Sequence, residues 1–129
     1  MAAPHLFCFG YGFSARHLAA LLAPQGWRIS GTSRSGSGET LAFDGTKPEP
    51  AVAETLAEAT AVLVSIPPGE MGDAALAHHR ADIIAAPNLT WIGYLSTTAV
   101  YGDHGGAWVD ERAALTPRTE RGARRVAAE

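Results

Sequence analysis

Nine residues near the N-terminus, Phe7-Cys8-Phe9-Gly10-Tyr11-Gly12-Phe13-Ser14-Ala15, carry the most chemically specific spacing in the chain. Gly10 and Gly12 stand two apart, and Ala15 follows three residues later. A glycine at the first position lets a strand turn sharply. At the second, the missing Cβ lets backbone N–H groups approach a bulky anion, and a small third residue lets the next helix pack closely on its sheet. That helix then turns its free N–H groups and the positive end of its dipole toward the anion. Strand, G-x-G-x-x-A and helix in this order imply a cradle for a dinucleotide pyrophosphate, with Gly10, Tyr11, Gly12, Phe13, Ser14 and Ala15 as its contacts. The competing reading is a tight strand-to-helix turn without a ligand.

Further chemistry is expected after the second strand. Proteins that bind NAD in such a cradle commonly place an acid there to accept the ribose 2′-OH. Gly31-Thr32-Ser33-Arg34-Ser35 offers hydroxyls and a cation but no acid. NADP is therefore expected over NAD, with Arg34 pairing the 2′-phosphate; the alternative is a solvated loop arginine. Asp44 is a further candidate, on the adenine side. The stretch Tyr94-Leu95-Ser96-Thr97-Thr98-Ala99-Val100-Tyr101-Gly102-Asp103 sets hydroxyl residues at the end of a strand, where the ligand crevice of a parallel sheet opens.

Other chemistries fit less well. His78 and His79 are neighbours on a helix, so their side chains diverge by about 100°, and no Cys or carboxylate set completes a metal site. No metal is expected. Ser96, Asp103 and His104 have the ingredients of a hydrolase triad. However, G-x-S-x-G is absent, and Asp103-His104 reads as a polar turn before Gly105-Gly106.

The elements that must position these groups alternate in type. His5 to Phe9 is an apolar run bounded by Pro4 and Gly10, hence a strand. A helix over about Phe13 to Leu22 follows, with Ser14 as its cap and Leu18, Leu21 and Leu22 on its buried stripe, stopped by Pro24 and Gly26. Strands are expected over Trp27–Thr32, Thr40–Phe43, Ala61–Ile66 and Leu89–Leu95. Helices are expected over Pro50–Ala59, through Val52, Leu56 and Ala59, and over Asp73–Ala85, with Leu76, Ile83 and Ile84 inward. This alternation predicts an α/β fold: a doubly wound, Rossmann-type parallel sheet of order 3-2-1-4-5, with the glycine loop at its switch point. Residues 1–129 read as one domain, in which 110–129 form a basic tail or helix carrying five of the ten basic residues. A solvated helix face is the plain reading of that cluster.

Composition sets the remaining bounds. The chain has 129 residues, 47% of them hydrophobic and 18% charged, as in an ordinary globular domain. A net charge of −3 leaves no basic footprint for nucleic acid or an anionic membrane. The single cysteine, Cys8, fits a reducing compartment and packing as a small hydrophobe. Without a membrane-length apolar run or a signal-like N-terminus, a cytoplasmic location is expected.

Taken together, the S-[ST]-x-x-V-Y-G block at Ser96–Gly102 and the N-terminal glycine loop resemble the extended short-chain dehydrogenases/reductases. This is the epimerase/dehydratase group, and G-x-G-x-x-A suggests an atypical branch. The resemblance runs from about Leu6 to the end and covers the N-terminal half of such a protein, so the chain is expected to be shorter than the family. It implies an NAD(P)-binding oxidoreductase or epimerase acting on small hydroxyl or carbonyl compounds, nucleotide sugars among them. Thr97, four residues before Tyr101, is implied to hydrogen-bond the reacting oxygen, and Tyr101 to shape the pocket. Local backbone bonding is the alternative for Thr97. Ser65, Ile66 and Pro67 match the strand end that lies beside the cofactor.

One departure stands out. Aligning Pro117 and Ala127-Ala128-Glu129 with the family pattern puts Arg121 and Arg125 where its Tyr-x-x-x-Lys pair stands. Guanidinium does not deprotonate near neutral pH, so the usual proton relay is missing. The alternative function is thus a non-catalytic dinucleotide-binding module, redox-sensing or scaffolding. An edge at strand five, or the C-terminal helix, offers a route to a homo-oligomer.

Overall fold

The computed structural model describes residues 3–129. They form two compact units. One runs to Ile66 and resumes over Ala74–Leu95; the other comprises Pro67–Asp73 and Ser96–Glu129.

The first unit is built on a five-stranded parallel sheet. Its strands are β1 (His5–Phe9), β2 (Arg28–Ser33), β3 (Leu41–Ala42), β4 (Ala61–Val64) and β5 (Trp91–Tyr94), in the order β3-β2-β1-β4-β5. This is the Rossmann-type order expected from the alternation of elements. β1 pairs Phe7 with Ser30 of β2 on one side and with Val62 of β4 on the other. All five of its residues are buried, because helices cover both faces of a parallel sheet. Alternation along β1 and β4 divides the core. Phe7, Phe9, Val62 and Val64 pack with Val52 and Leu56 of α2 (Pro50–Leu56) and with Ala75 and Ile83 of α3 (Ala74–Ala85). Leu6, Cys8, Ala61 and Leu63 pack with Ala15 of α1 (Phe13–Leu22). Cys8 is fully buried there, and burial pushes its thiol up to about 11.

Several details differ from the sequence reading. The N-cap of α1 is Gly12, without a side-chain cap, so Ser14 lies inside the first turn. On α1, Ala15 and Ala19 are buried, Leu18 and Leu22 pack against the same core as expected, and Leu21 is exposed. On α3 the inward positions are Ala75, His79 and Ile83, with Leu76 and Ile84 turned outward. His79 can hold a core position because both ring nitrogens are bonded. Nδ1 lies 2.9 Å from Asp82 Oδ2, and Nε2 accepts the Glu49 N–H at 3.2 Å. A reading by hydrophobicity gives that place to Leu76. β3 keeps only two residues, and β5 begins two residues later than expected.

The second unit contains a 3₁₀ turn over Thr98–Tyr101 and helix α4 (Glu120–Ala128). No helix among the described residues is long and apolar enough to cross a membrane.

His5 gives the first unit a pH dependence. Its ring is buried in β1, with Nε2 2.7 Å from Ser30 Oγ. Burial, assisted by the Arg28 guanidinium, holds its pKa below 6.5. The unfolded chain therefore takes up this proton at a higher pH than the folded chain. The stability due to neutral His5 is complete above pH 6.5 and is lost as pH falls through the folded value. Urea midpoints measured from about pH 7.5 to about pH 5 should fall more in the wild type than in His5→Gln, which carries no titrating ring. Parallel curves would remove His5 as the cause.

Candidate functional site

The glycine loop of the first unit is held from two sides. Gly10 has φ +88°, and a Cβ there would lie 3.1 Å from both Ile66 Cγ1 and Ser65 Oγ, so the fold itself requires glycine. The Ser65 hydroxyl sits 2.9 Å from Gly10 O and 3.2 Å from Phe9 O, sharing its proton between them. On the other side Thr32 accepts twice: the Gly10 N–H bonds its Oγ1 and the Tyr11 N–H its carbonyl, both at 2.9 Å. Parallel register brings Thr32 there, because Cys8 pairs with Gly31. A Cβ on Gly31 would stand 2.7 Å from the Tyr11 ring, so a bare backbone is needed beneath the tyrosine. Arg16 covers Tyr11 from outside. Its Nε–H donates to Tyr11 O at 3.1 Å, and its guanidinium carbon lies 5.1 Å from the ring centroid.

Gly12 is different. Its backbone is extended, with φ −96°, and nothing lies within 4 Å of the position a Cβ would take. The first helical bond runs from the Arg16 N–H to Gly12 O at 3.0 Å, so the N–H groups of Phe13, Ser14 and Ala15 precede the helical ladder. Ala15 is buried against the sheet, as the third position of the spacing requires. Phe13 is 80% exposed beside the open N-terminus of α1.

The remaining candidates of this unit are spread over its loops. Arg34 is exposed after β2 and has no ion-pair partner among the described residues. Two of its neighbouring hydroxyls, Thr32 and Ser33, are engaged by the fold itself, while Ser35 is exposed beside it. Thr32 is buried, its Oγ1 accepting the Gly10 N–H, and Ser33 Oγ lies 2.6 Å from Thr40 Oγ1 while accepting the Gly36 N–H at 3.0 Å. Asp44 is exposed, and its Oδ1 accepts from the Thr46 hydroxyl at 2.6 Å and the Thr46 N–H at 2.9 Å. These bonds, the hydroxyl first, hold its carboxyl below the ordinary range. Ser65 and Ile66 support the glycine loop. The role of Thr32 escaped the sequence reading. Its signal was a hydroxyl near the end of β2, one residue past the pairing partner of Cys8.

The second unit gathers a different set. Thr97 caps the 3₁₀ turn, its Oγ1 accepting the Ala99 N–H at 3.3 Å. Thr119 caps α4, accepting the Gly122 N–H at 3.0 Å. Gly122 lets α4 close on the turn, since a Cβ there would lie 2.8 Å from Ala99 O. Between these pieces is a cavity of about 380 Å³, walled by Pro67, Pro68 and Ala99, by the hydroxyl residues Thr97 and Thr119, and by Arg121 and Arg125. Arg121 and Arg125, four apart, share one face of the helix. Arg124 bonds elsewhere, at 3.1 Å to Glu120 and 3.6 Å to Glu70. Tyr101 does not line the cavity; its carbonyl accepts from Thr116 Oγ1 and lies against His104 Nε2, both at 2.8 Å.

The remaining polar groups serve local structure. Asp103 Oδ1 accepts the Gly105 N–H at 2.8 Å, and the Ser96 hydroxyl bonds Glu129, so Ser96, Asp103 and His104 make separate bonds rather than a relay. His78 Nε2 lies 2.9 Å from Gly45 O. Among the described residues no group of three His, Cys, Asp or Glu side chains is placed to hold a metal ion.

Comparison with protein-family models and with curated proteins gave no match. Solved structures did match. A functionally unknown conserved protein from Silicibacter pomeroyi is 45% identical with a TM-score of 0.80, over 97% of this chain and 47% of that one. A short-chain dehydrogenase/reductase superfamily protein from Agrobacterium tumefaciens, with bound NAD, is 18% identical with a TM-score of 0.66, over 95% of this chain and 42% of that one. UDP-N-acetylglucosamine 4-epimerase from Bacillus cereus is 20% identical with a TM-score of 0.67, over 98% and 50%. The chain spans about half the length of the structures it matches.

Proposed function

We propose that this chain, whose fold is shared by short-chain dehydrogenase/reductase and nucleotide-sugar epimerase structures, binds a nicotinamide dinucleotide with its pyrophosphate on Gly10–Ala15. The domain 1–129 is then the nucleotide-binding part of an oxidoreductase- or epimerase-type protein acting on small hydroxyl or carbonyl compounds, nucleotide sugars included. The observation that carries this reading is the space at Gly12. Gly10 and Gly31 are glycines because their own neighbours require it, but the folded chain leaves room for a side chain at Gly12. Gly12 is also the N-cap of α1, but serine, asparagine and aspartate serve at least as well there, so the cap alone does not ask for glycine; a ligand that takes the room does.

The chain's own groups define the chemistry. The N–H groups of Gly12, Phe13 and Ser14 meet phosphate oxygens at the positive end of α1. The Thr32 and Ser65 bonds fix the loop before the ligand arrives, which lowers the ordering cost of binding. When bound, the nicotinamide supplies a hydride donor or acceptor. Thr97 accepts the Ala99 N–H, so its own hydroxyl proton can be donated to a substrate oxygen, and Tyr101 shapes the turn behind it. A second reading, a dinucleotide-binding module without efficient chemistry, is favoured by one observation. Arg121 and Arg125 line the same cavity as Thr97, in the positions aligned with tyrosine and lysine, and neither can cycle a proton near neutral pH.

Arg34 is assigned to the 2′-phosphate, so NADP(H) is preferred. A charge-assisted contact of ~1.5–3 kcal/mol corresponds to a preference of roughly tenfold or more at low salt. Calorimetric titration with NAD⁺, NADH, NADP⁺ and NADPH should show it, and Arg34→Ala should erase it while leaving NAD⁺ affinity in place. Equal affinities in the wild type would remove the assignment, and no binding of any of the four would remove the proposed function.

A further inference from the structure

We propose that the cavity of the second unit is a binding site for the oxyanion of a small ligand, a carboxylate or a phosphate, with Arg121 as its principal anchor. At about 380 Å³ it has the size of a small-molecule site. Its charge is one-sided. Two guanidinium side chains line it and no carboxylate does, whereas Glu120 and Glu70 are drawn to Arg124. Arg121 itself makes no ion pair among the described residues. Both threonine hydroxyls of the wall accept backbone N–H bonds, Thr97 from Ala99 and Thr119 from Gly122, and each keeps its own proton for an incoming oxygen. The start of α4 adds its dipole to the same end of the cavity.

The planar guanidinium fork of Arg121 matches two oxygens of a carboxylate or phosphate. The rest of the lining, Pro67, Pro68 and Ala99, is apolar and suits the carbon skeleton of an organic anion rather than a bare ion. The close seat of Gly122 on Ala99 holds the helix against the turn, so the arginines and the Thr97 hydroxyl face one space. All these residues belong to the second unit. The inference therefore does not depend on dinucleotide binding at Gly12.

The test uses the full chain, titrated separately with inorganic phosphate and with malonate at low salt. Saturable binding of at least one probe is expected, and the tighter of the two identifies phosphate or carboxylate as the preferred source of the oxyanion. Arg121→Gln should weaken it at least fivefold and Arg121→Lys, which keeps the charge but loses the fork, by less. Arg118→Gln, outside the cavity, should change it less than twofold. Gly12→Val should retain it, which separates this site from the glycine loop. Absence of saturation by both probes, an equal loss in Arg118→Gln, or loss in Gly12→Val would each overturn the proposal.

Discussion

Replacing Gly12 by valine should raise the dissociation constant for NADP⁺ at least tenfold while leaving the free protein intact. A Cβ at this position meets nothing within 4 Å, and the backbone there is extended, so the apo chain tolerates the side chain. Gly12 is the N-cap of α1, where valine is poorer than glycine, so a cost of about 1 kcal/mol is expected, or about 3–5 °C of melting temperature in a domain of this size. The branched side chain instead fills the room the pyrophosphate needs. Gly10→Ala supplies the contrast. Its φ of +88° and the 3.1 Å approach of Ile66 and Ser65 mean that even a methyl group strains the loop, by roughly 1–3 kcal/mol. Gly10→Ala should therefore lose more melting temperature than Gly12→Val, and Gly12→Val should lose chiefly affinity. Unchanged affinity in folded Gly12→Val would remove the pyrophosphate from this loop.

Hydride transfer by this polypeptide should be slow even with cofactor bound. A general acid must reach the substrate oxygen and have a usable pKa, and its contribution is typically ~10²–10⁴-fold. Thr97 can orient that oxygen, but a hydroxyl is too weak an acid to replace a tuned phenol. Arg121 and Arg125 can balance developing negative charge without releasing a proton. Screening NADPH against aldehydes, ketones and nucleotide sugars, by absorbance of the reduced nicotinamide, should give turnover below about 1 s⁻¹, the low end of ordinary enzymes. Faster turnover that disappears in Tyr101→Phe would contradict this and place the acid at Tyr101.

The legible parts of the chain were those written in adjacent residues. The run His5–Phe9, closed by Pro4 and Gly10, marks a strand buried on both faces, and the glycine spacing marks the turn after it. Alternation of apolar runs with helical spacing then suffices for the sheet order, because right-handed crossovers leave few alternatives. What remained hidden depends on pairing between distant residues. Thr32 reads as a polar group offered to a ligand until register places it beside Gly10. His79 was not among the inward positions expected of α3, yet Asp82 and the Glu49 amide satisfy its ring and leave it buried. The cavity of the second unit draws on Pro67–Pro68, Thr97–Ala99 and Thr119–Arg125, three segments whose meeting no local pattern records. Pro67, Thr97, Arg121 and Arg125 were singled out beforehand through the family resemblance, but Thr119 was not.

The most direct test of dinucleotide binding on the glycine loop is an amide-resolved NMR titration of the chain with NADP⁺. The account predicts that the largest shifts fall on the N–H groups of Gly12, Phe13, Ser14 and Ala15, where the start of α1 is open. The Gly10 and Tyr11 amides, already bonded to Thr32, should move less. Saturating shifts that leave Gly12–Ala15 unmoved, or no shifts at any concentration up to the millimolar range of weak binding, would contradict it.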